Sequence, residues 1–198
     1  MENKPEKNVA PEPYLSEPTA AVKDSYLEAV GEFEAAQEWS AEEAKNVRDD
    51  FDGWVERLKN RALGKDLPEG YVPESIFWLI EGDKYIGRIG VRHVLTEKLK
   101  KFGGTIGYDV RPSERRKGYG TKMLALGLQK AAELGLNEVI LTCDVNNVAS
   151  QKVIEANGGE LLERGVVVEE QPDATRQRYK IALGSTSPQT SIKNQGKK

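Results

Sequence analysis

Apolar residues recur along this chain with two different periods, and the change from one to the other divides it into helical and extended parts. Val22, Tyr26, Val30 and Phe33 are spaced by three and four, which is the repeat of one helical face, so a first amphipathic helix is predicted there. Ser40 with Glu43 then reads as a capping box, Val47, Phe51, Trp54, Val55 and Leu58 form one apolar stripe, and Gly64 stops it. The aromatic members of these stripes are read as core-facing.

After the loop Lys65–Ser75 the period shortens. Ile76–Glu81, the turn Gly82-Asp83 and Lys84–Val91 predict a β-hairpin. A basic loop through Lys98, Lys100, Lys101 and Gly103-Gly104 leads to a strand over Thr105–Val110, and an amphipathic helix then runs to about Leu134, closed by Gly135. Glu138–Asp144 has the composition of a buried strand. Asn146 and Asn147 open a fourth helix to Asn157, Gly158-Gly159 end it, and two last strands are predicted at about Glu160–Glu170 and Thr175–Leu183. The order ααβββαβαββ, antiparallel strands first and a β-α-β crossover later, predicts an α/β protein with one mixed, mostly antiparallel sheet flanked by four helices.

Composition limits what such a fold is for. In 198 residues, 29 basic and 32 acidic side chains leave a net charge of −3, so no global field points to nucleic acid or an anionic membrane as the main partner. With one cysteine, Cys143, and one histidine, His93, neither a disulfide framework nor a His/Cys zinc site is available within the chain. The start carries prolines at 5, 11, 13 and 18 and no apolar signal region, and no run of eighteen apolar residues occurs, which leads to the expectation of a cytoplasmic protein. Residues 1–18 and 185–198 are too polar to offset their ordering entropy and are expected to be mobile, leaving one folded domain over 19–184.

The stretch Arg115-Arg116-Lys117-Gly118-Tyr119-Gly120-Thr121 stands between a strand and a helix. A turn of this kind aims backbone N–H groups and the positive end of a helix dipole at one point, which suits a pyrophosphate, and its glycines allow positive φ and close approach. Three basic side chains add charge around the same anion. The same residues are also compatible with an ordinary strand-to-helix turn bearing solvated charges.

Taken with Tyr108-Asp109-Val110-Arg111-Pro112 and with Asn147-x-x-Ser150 followed by Asn157-Gly158, the loop Arg115-x-x-Gly118-x-Gly120 resembles the GNAT superfamily of acyl-CoA-dependent N-acyltransferases. The resemblance spans the first helix to the last strand. It implies that the strands ending at Val110 and Asp144 splay apart, that pantetheine lies in the slot against backbone from Tyr108 to Val110, and that N–H groups from Arg115 to Thr121 hold the diphosphate of acetyl-CoA. It further implies that Asn147 bonds the pantetheine arm with Ser150 close by; simple helix capping is compatible with that role, and for Ser150 alone it fits equally well. The acceptor implied is a small-molecule or peptide amine, and a homodimer is left open.

Aminolysis of a thioester needs a neutral amine, a donor for the developing oxyanion and, optionally, an acid for the departing thiolate. A backbone N–H near Val110 is the oxyanion candidate. Many relatives carry a tyrosine acid four residues after the helix serine, where this chain has Ile154, and some carry a glutamate base where it has Thr142. Tyr119 is therefore considered as a proton donor. His93 is the candidate base on intrinsic pKa, against a structural role, with Asp144 at the slot mouth in reserve. Glu81 and Asp109 are weaker candidates for the base and read more readily as solvated or structural charges, and Cys143 as a small core residue. Two rivals stand beside this reading: a Rossmann-type dinucleotide site, poorly served because Met123 replaces its third glycine, and a non-catalytic acyl-CoA-binding sensor or scaffold.

Overall fold

The computed structural model describes residues 11–168 and 171–184. Helix α1 (Lys23–Ala35) follows a short 3-10 turn capped by Thr19 and buries Tyr26, Ala29, Val30 and Phe33, the face that the spacing predicts. The second predicted helix is two helices, α2 (Ala41–Asp49) and α3 (Phe51–Ala62). Between them Asp50 leaves the helical region (φ −142°, ψ 70°) and its carboxylate accepts the Gly53 N–H at 3.0 Å, so one apolar stripe folds as two capped pieces. The capping box at Ser40 and Glu43 forms as expected.

Strand β1 (Tyr14–Ser16) pairs with β2 (Glu74–Glu81), which pairs with β3 (Lys84–Arg92), which pairs with β4 (Ile106–Val110), all antiparallel. The short β1 falls inside the stretch expected to be mobile, whereas residues 1–10 and 185–198 lie outside the described residues. Helix α4 (Tyr119–Glu133) leads to β5 (Glu138–Asp144), and α5 (Val148–Ala156) to β6 (Glu160–Val168) and β7 (Gln171–Ala182). These last three strands form a second antiparallel sheet in the order β5-β7-β6.

Each face of the first sheet has its own core. Tyr26, Phe51, Trp78 and Tyr85 cluster under α1 to α3, with Tyr26 stacked on Trp78 at 4.4 Å between ring centroids. On the other face Leu79, Ile86 and Ile89 meet Met123 and Leu124 of α4, Ile154 of α5, and Val139, Leu141 and Cys143 of β5. Cys143 is buried here, in the core position expected. Alternation along each strand delivers these side chains to opposite faces, which is how one sheet serves two cores. Among the described residues no helix is long and apolar enough to cross a membrane.

Candidate active site

Strands β4 and β5 touch at one point and then part. The Thr105 N–H donates to the Ile140 carbonyl at 2.6 Å, and the Ile140 N–H donates to Thr105 Oγ1 at 2.9 Å. Gly104 makes this closure possible: its φ is +69°, and a Cβ there would stand 2.6 Å from the Ile140 oxygen. Beyond that vertex the strands belong to different sheets.

The registers decide what the gap exposes. The Arg111 N–H bonds Ile86 and the Arg92 N–H bonds Thr105, so odd-numbered positions of β4 are bonded to β3 and the N–H and C=O groups of Tyr108 and Val110 turn toward β5. On β5 the Val145 N–H bonds Thr175 and the Leu183 N–H bonds Asn137, which by the same alternation turns Thr142 and Asp144 toward β4. Backbone groups on both walls are thus left for a ligand to satisfy, save the Val110 carbonyl, which accepts from Arg115 Nε at 2.9 Å. A cavity of about 280 Å³ occupies the gap, lined by Tyr108, Thr142, Cys143, Asp144, Asn147, Ser150 and Arg176 among others.

A larger groove of about 690 Å³ continues outward along the end of β4 to the start of α4, and it brings together Tyr108, Val110, Arg115, Arg116, Gly118, Gly120, Thr121, Asn147 and Ser150. Gly118 is the N-cap of α4, with φ +87°, and provides no side-chain cap; α2, α3 and α5 are capped by Ser40, Asp50 and Asn147. Among the described residues the first N–H groups of α4 therefore end at the groove without an intrahelical or side-chain acceptor. Arg116 also holds a positive φ of 62° and has no ion-pair partner among the described residues, so the strained turn presents a free guanidinium beside those amides. Lys152 of α5 lines the same groove, a placement the sequence reading misses; its signal is only its place five residues after Asn147.

Other basic residues of the loop are committed elsewhere. The Arg115 guanidinium donates to both carboxylate oxygens of Glu38 at 2.7 and 2.6 Å and to the Val110 carbonyl at 2.9 Å, so its side chain braces the turn instead of facing an anion. Lys117 pairs with Glu114 at 2.9 Å. The Tyr119 hydroxyl donates to Glu81 at 2.7 Å, which lifts its pKa to about 12, burial adding to the effect, and neither Tyr119 nor Lys117 lines the groove. This also gives Glu81 a structural partner.

Across the slot the Tyr108 hydroxyl meets Ser150 Oγ at 3.0 Å. Burial pushes the Tyr108 phenol up to about 12, against the opposing hydrogen bond from Ser150, so it keeps its proton through the neutral range. Burial likewise raises the Cys143 thiol, again with Ser150 opposing, which leaves it protonated and a poor nucleophile. Asn147 caps α5 by accepting the Ser150 N–H at 3.0 Å, so the capping role is realised and its NH₂ is the group left to donate. Asp144 lines the slot and accepts the Asn146 N–H at 2.8 Å. Thr142 donates to the Phe102 carbonyl at 2.9 Å and so ties the π-type turn Leu99–Gly103 over the slot.

His93 stands apart from all of these. Its imidazole meets Ser75 Oγ at 2.8 Å, its N–H bonds the Pro73 carbonyl, and it lines a separate cavity with Thr105 and Ile140 at the closed end of the gap. Five residue steps of strand separate Thr105 from Val110, roughly 16 Å of extended chain. The structural reading of His93 fits this placement, and the candidate base does not.

A split pair of strands ending at a glycine-bounded, uncapped helix start is the architecture of an acyl-CoA-dependent transferase. Residues 14–160 match the acetyltransferase (GNAT) domain, and the chain belongs to that family. As a member it is an acetyltransferase whose donor is acetyl-CoA. Solved structures share the fold at low identity. The microcin self-immunity acetyltransferase MccE, in complex with acetyl-CoA and AMP, is 14% identical with a TM-score of 0.64, over 87% of this chain and 93% of that one. An acetyltransferase of Salmonella typhimurium that modifies the N-terminal serine of a 50S ribosomal subunit protein is 16% identical with a TM-score of 0.62, over 86% and 95%. A GNAT acetyltransferase of Bacillus anthracis is 19% identical with a TM-score of 0.59, over 88% and 96%. No curated protein sequence matches the chain.

Proposed function

We propose that this protein transfers the acetyl group of acetyl-CoA to a primary amine of a small molecule or peptide, by direct attack within a ternary complex, in the cytoplasm. The observation that carries this reading is the divergence of β4 from β5 beside the uncapped start of α4. The diphosphate is assigned to the N–H groups at the start of α4 with the Arg116 guanidinium, and the pantetheine amides to the turned-out backbone of Tyr108 and the Val110 N–H, with the Asn147 NH₂ alongside. The complex of the microcin self-immunity acetyltransferase with acetyl-CoA supports the same donor here.

Holding amine and thioester together supplies much of the acceleration. A carbonyl seated at the inner end of the slot meets the backbone N–H of Tyr108 or Val110, which serves as oxyanion donor. The Tyr108 hydroxyl, protonated and positioned by Ser150, is the donor within the slot for the departing thiolate, in place of Tyr119. Asp144 remains a candidate at the mouth. Calorimetric titration with acetyl-CoA, followed by free-thiol detection across an amine panel, tests the reading. Binding in the micromolar to millimolar range with thiol release on at least one amine is expected; no heat of binding at millimolar acetyl-CoA would reject it.

A further inference from the structure

The slot between β4 and β5 holds one charge that the fold leaves unused. Arg176 of β7 lines it, and among the described residues its side chain has no hydrogen bond and no ion pair. Its Nε is buried without a partner, while the two terminal nitrogens, equally unpaired, are not shut off from solvent. A larger cavity of about 720 Å³, on the face of the first sheet that α1 to α3 cover, differs in this respect. Every arginine on its wall is paired, Arg57 with Asp50, Arg61 with Glu74 and Arg88 with Asp109. An unpaired guanidinium in a half-buried place costs the fold stability, and such a group calls for an explanation.

Asp144 is the direct cross-strand neighbour of Arg176. Opposite charges so placed ordinarily form a pair. Here Asp144 Oδ1 instead accepts the Asn146 N–H at 2.8 Å, and among the described residues no ion pair joins the two side chains. Alternation fixes where both stand. Val139, Leu141 and Cys143 of β5, with Tyr179 and Ile181 of β7, enter the core beside α4 and α5, so Asp144 and Arg176 lie on the opposite face. The cofactor groove is walled by Ala149 and Val153 of α5, on the helix side. Nearer the vertex the turn Leu99–Gly103 covers the other face, held by Thr142 and by Arg178, which donates to the Lys100 carbonyl at 3.0 Å. Asp144 and Arg176 come beyond that cover, where the slot is reached from the side away from the cofactor.

We propose that the amine acceptor is an amino acid, whose carboxylate is received by the terminal nitrogens of Arg176 and whose ammonium, on arrival, is drawn to Asp144. The inference deepens the transferase reading and rests on it. Two opposite charges side by side, unpaired with each other, match the two charges of a zwitterion. A guanidinium offers parallel N–H groups to both oxygens of a carboxylate, a fit that a neutral amide cannot return. The slot, about 280 Å³, also has to take the end of the pantetheine arm, which favours a small acceptor. Arg176 is thus a specificity-determining residue, and it adds no step to the transfer.

Free-thiol release from acetyl-CoA is measured for wild type, Arg176→Gln and Arg176→Lys, on amino acids and on the same amino acids as carboxamides. A carboxylate makes its neighbouring amine more basic, so at neutral pH the amide carries more of the reactive neutral amine, and a preference for the acid reports recognition. Wild type is expected to show kcat/KM at least about tenfold higher on the acid of one or more pairs, mainly through KM. Arg176→Gln is expected to lose about 10- to 100-fold on that acid, the range for a hydrogen bond to a charged group, and far less on the amide. Arg176→Lys, which keeps the charge without the fork, retains part of the preference. Equal or better use of the amides by wild type overturns the proposal, whether or not the variants fold. An acid-to-amide ratio that survives Arg176→Gln overturns it too, because a merely structural arginine lowers both alike. If Arg176 serves the acyl chain instead, succinyl-CoA outruns acetyl-CoA on the amides and Arg176→Gln reverses the order, which also overturns it. Acetyl-CoA binding with no thiol release by wild type on any amine would instead overturn the transferase reading, and this inference with it.

Discussion

At the scale of single residues, the proposed cofactor site is built from main-chain atoms more than from side chains. Gly118 is at φ +87°, and a Cβ there would meet nothing within 4 Å, so the turn needs its backbone freedom rather than its small size. Gly118→Asp is expected to abolish measurable acetyl-CoA binding, because it places a carboxylate at the anion site. It should also destabilise the fold by about 1–2 kcal/mol, the usual cost of a left-handed non-glycine residue. Calorimetry and thermal melting check the two effects separately, and unchanged affinity would move the diphosphate elsewhere. This glycine pattern is legible in the sequence because it is local. The fate of Arg115 is not, since Glu38, its partner, lies 77 residues away. His93 misleads for a related reason: an intrinsic pKa suited to catalysis says nothing about which end of a strand pair a residue occupies.

Between elements, two junctions hold the site open. Thr105 fastens β4 to β5 at the vertex, and Thr105→Val leaves the Ile140 N–H without its acceptor. A loss of about 1–3 kcal/mol is expected, read as a melting point lower by roughly 2–4 °C per kcal/mol in a domain of this size. A second junction ties α1 to the turn before the cradle. Arg111, buried, donates to Glu32 at 2.8 Å and to Glu28 at 3.0 Å, and Glu32 also accepts the Ser113 N–H at 2.9 Å.

Burial alone would raise the Glu32 pKa, yet hydrogen bonds from Ser113 and Arg111 together outweigh it and bring it below the ordinary value of 4.5. A carboxylate depressed in the folded state contributes stability that is complete above 4.5 and is lost as the pH falls through the folded value. Glu32→Gln should therefore lower the melting point at pH 7, with the gap to wild type narrowing as the pH drops below the ordinary value of 4.5. A gap that stays constant between about pH 7 and about pH 3 would contradict the assignment. Most elements are readable from their periods and caps, but the break at Asp50 is hidden because its apolar stripe continues in register across it. Strand β1 is hidden because three residues among prolines carry no period, and only their pairing with β2 orders them.

For the molecule as a whole, the sequence announces a splayed pair only through its resemblance to a family; the two separate sheets, and the cavities on either side of β4, arise from where distant segments converge. Glu38 just beyond α1, Arg88 from β3 and Asp109 from β4 share one neighbourhood that no spacing along the chain encodes. The same holds for the hydroxyl pair of Tyr108 and Ser150, which joins a strand to a helix across the slot. What does follow from residue order is the exposure of alternate backbone groups once the registers are known.

Hydrogen–deuterium exchange with and without coenzyme A tests this arrangement directly, because the proposed site would hold the ligand mainly by amides. The account predicts slowed exchange at Tyr108, at Val110 and at the amides from Arg116 to Thr121, with little change around His93. Unaltered exchange over Arg116–Thr121 at saturating coenzyme A, or protection centred on His93, would contradict it.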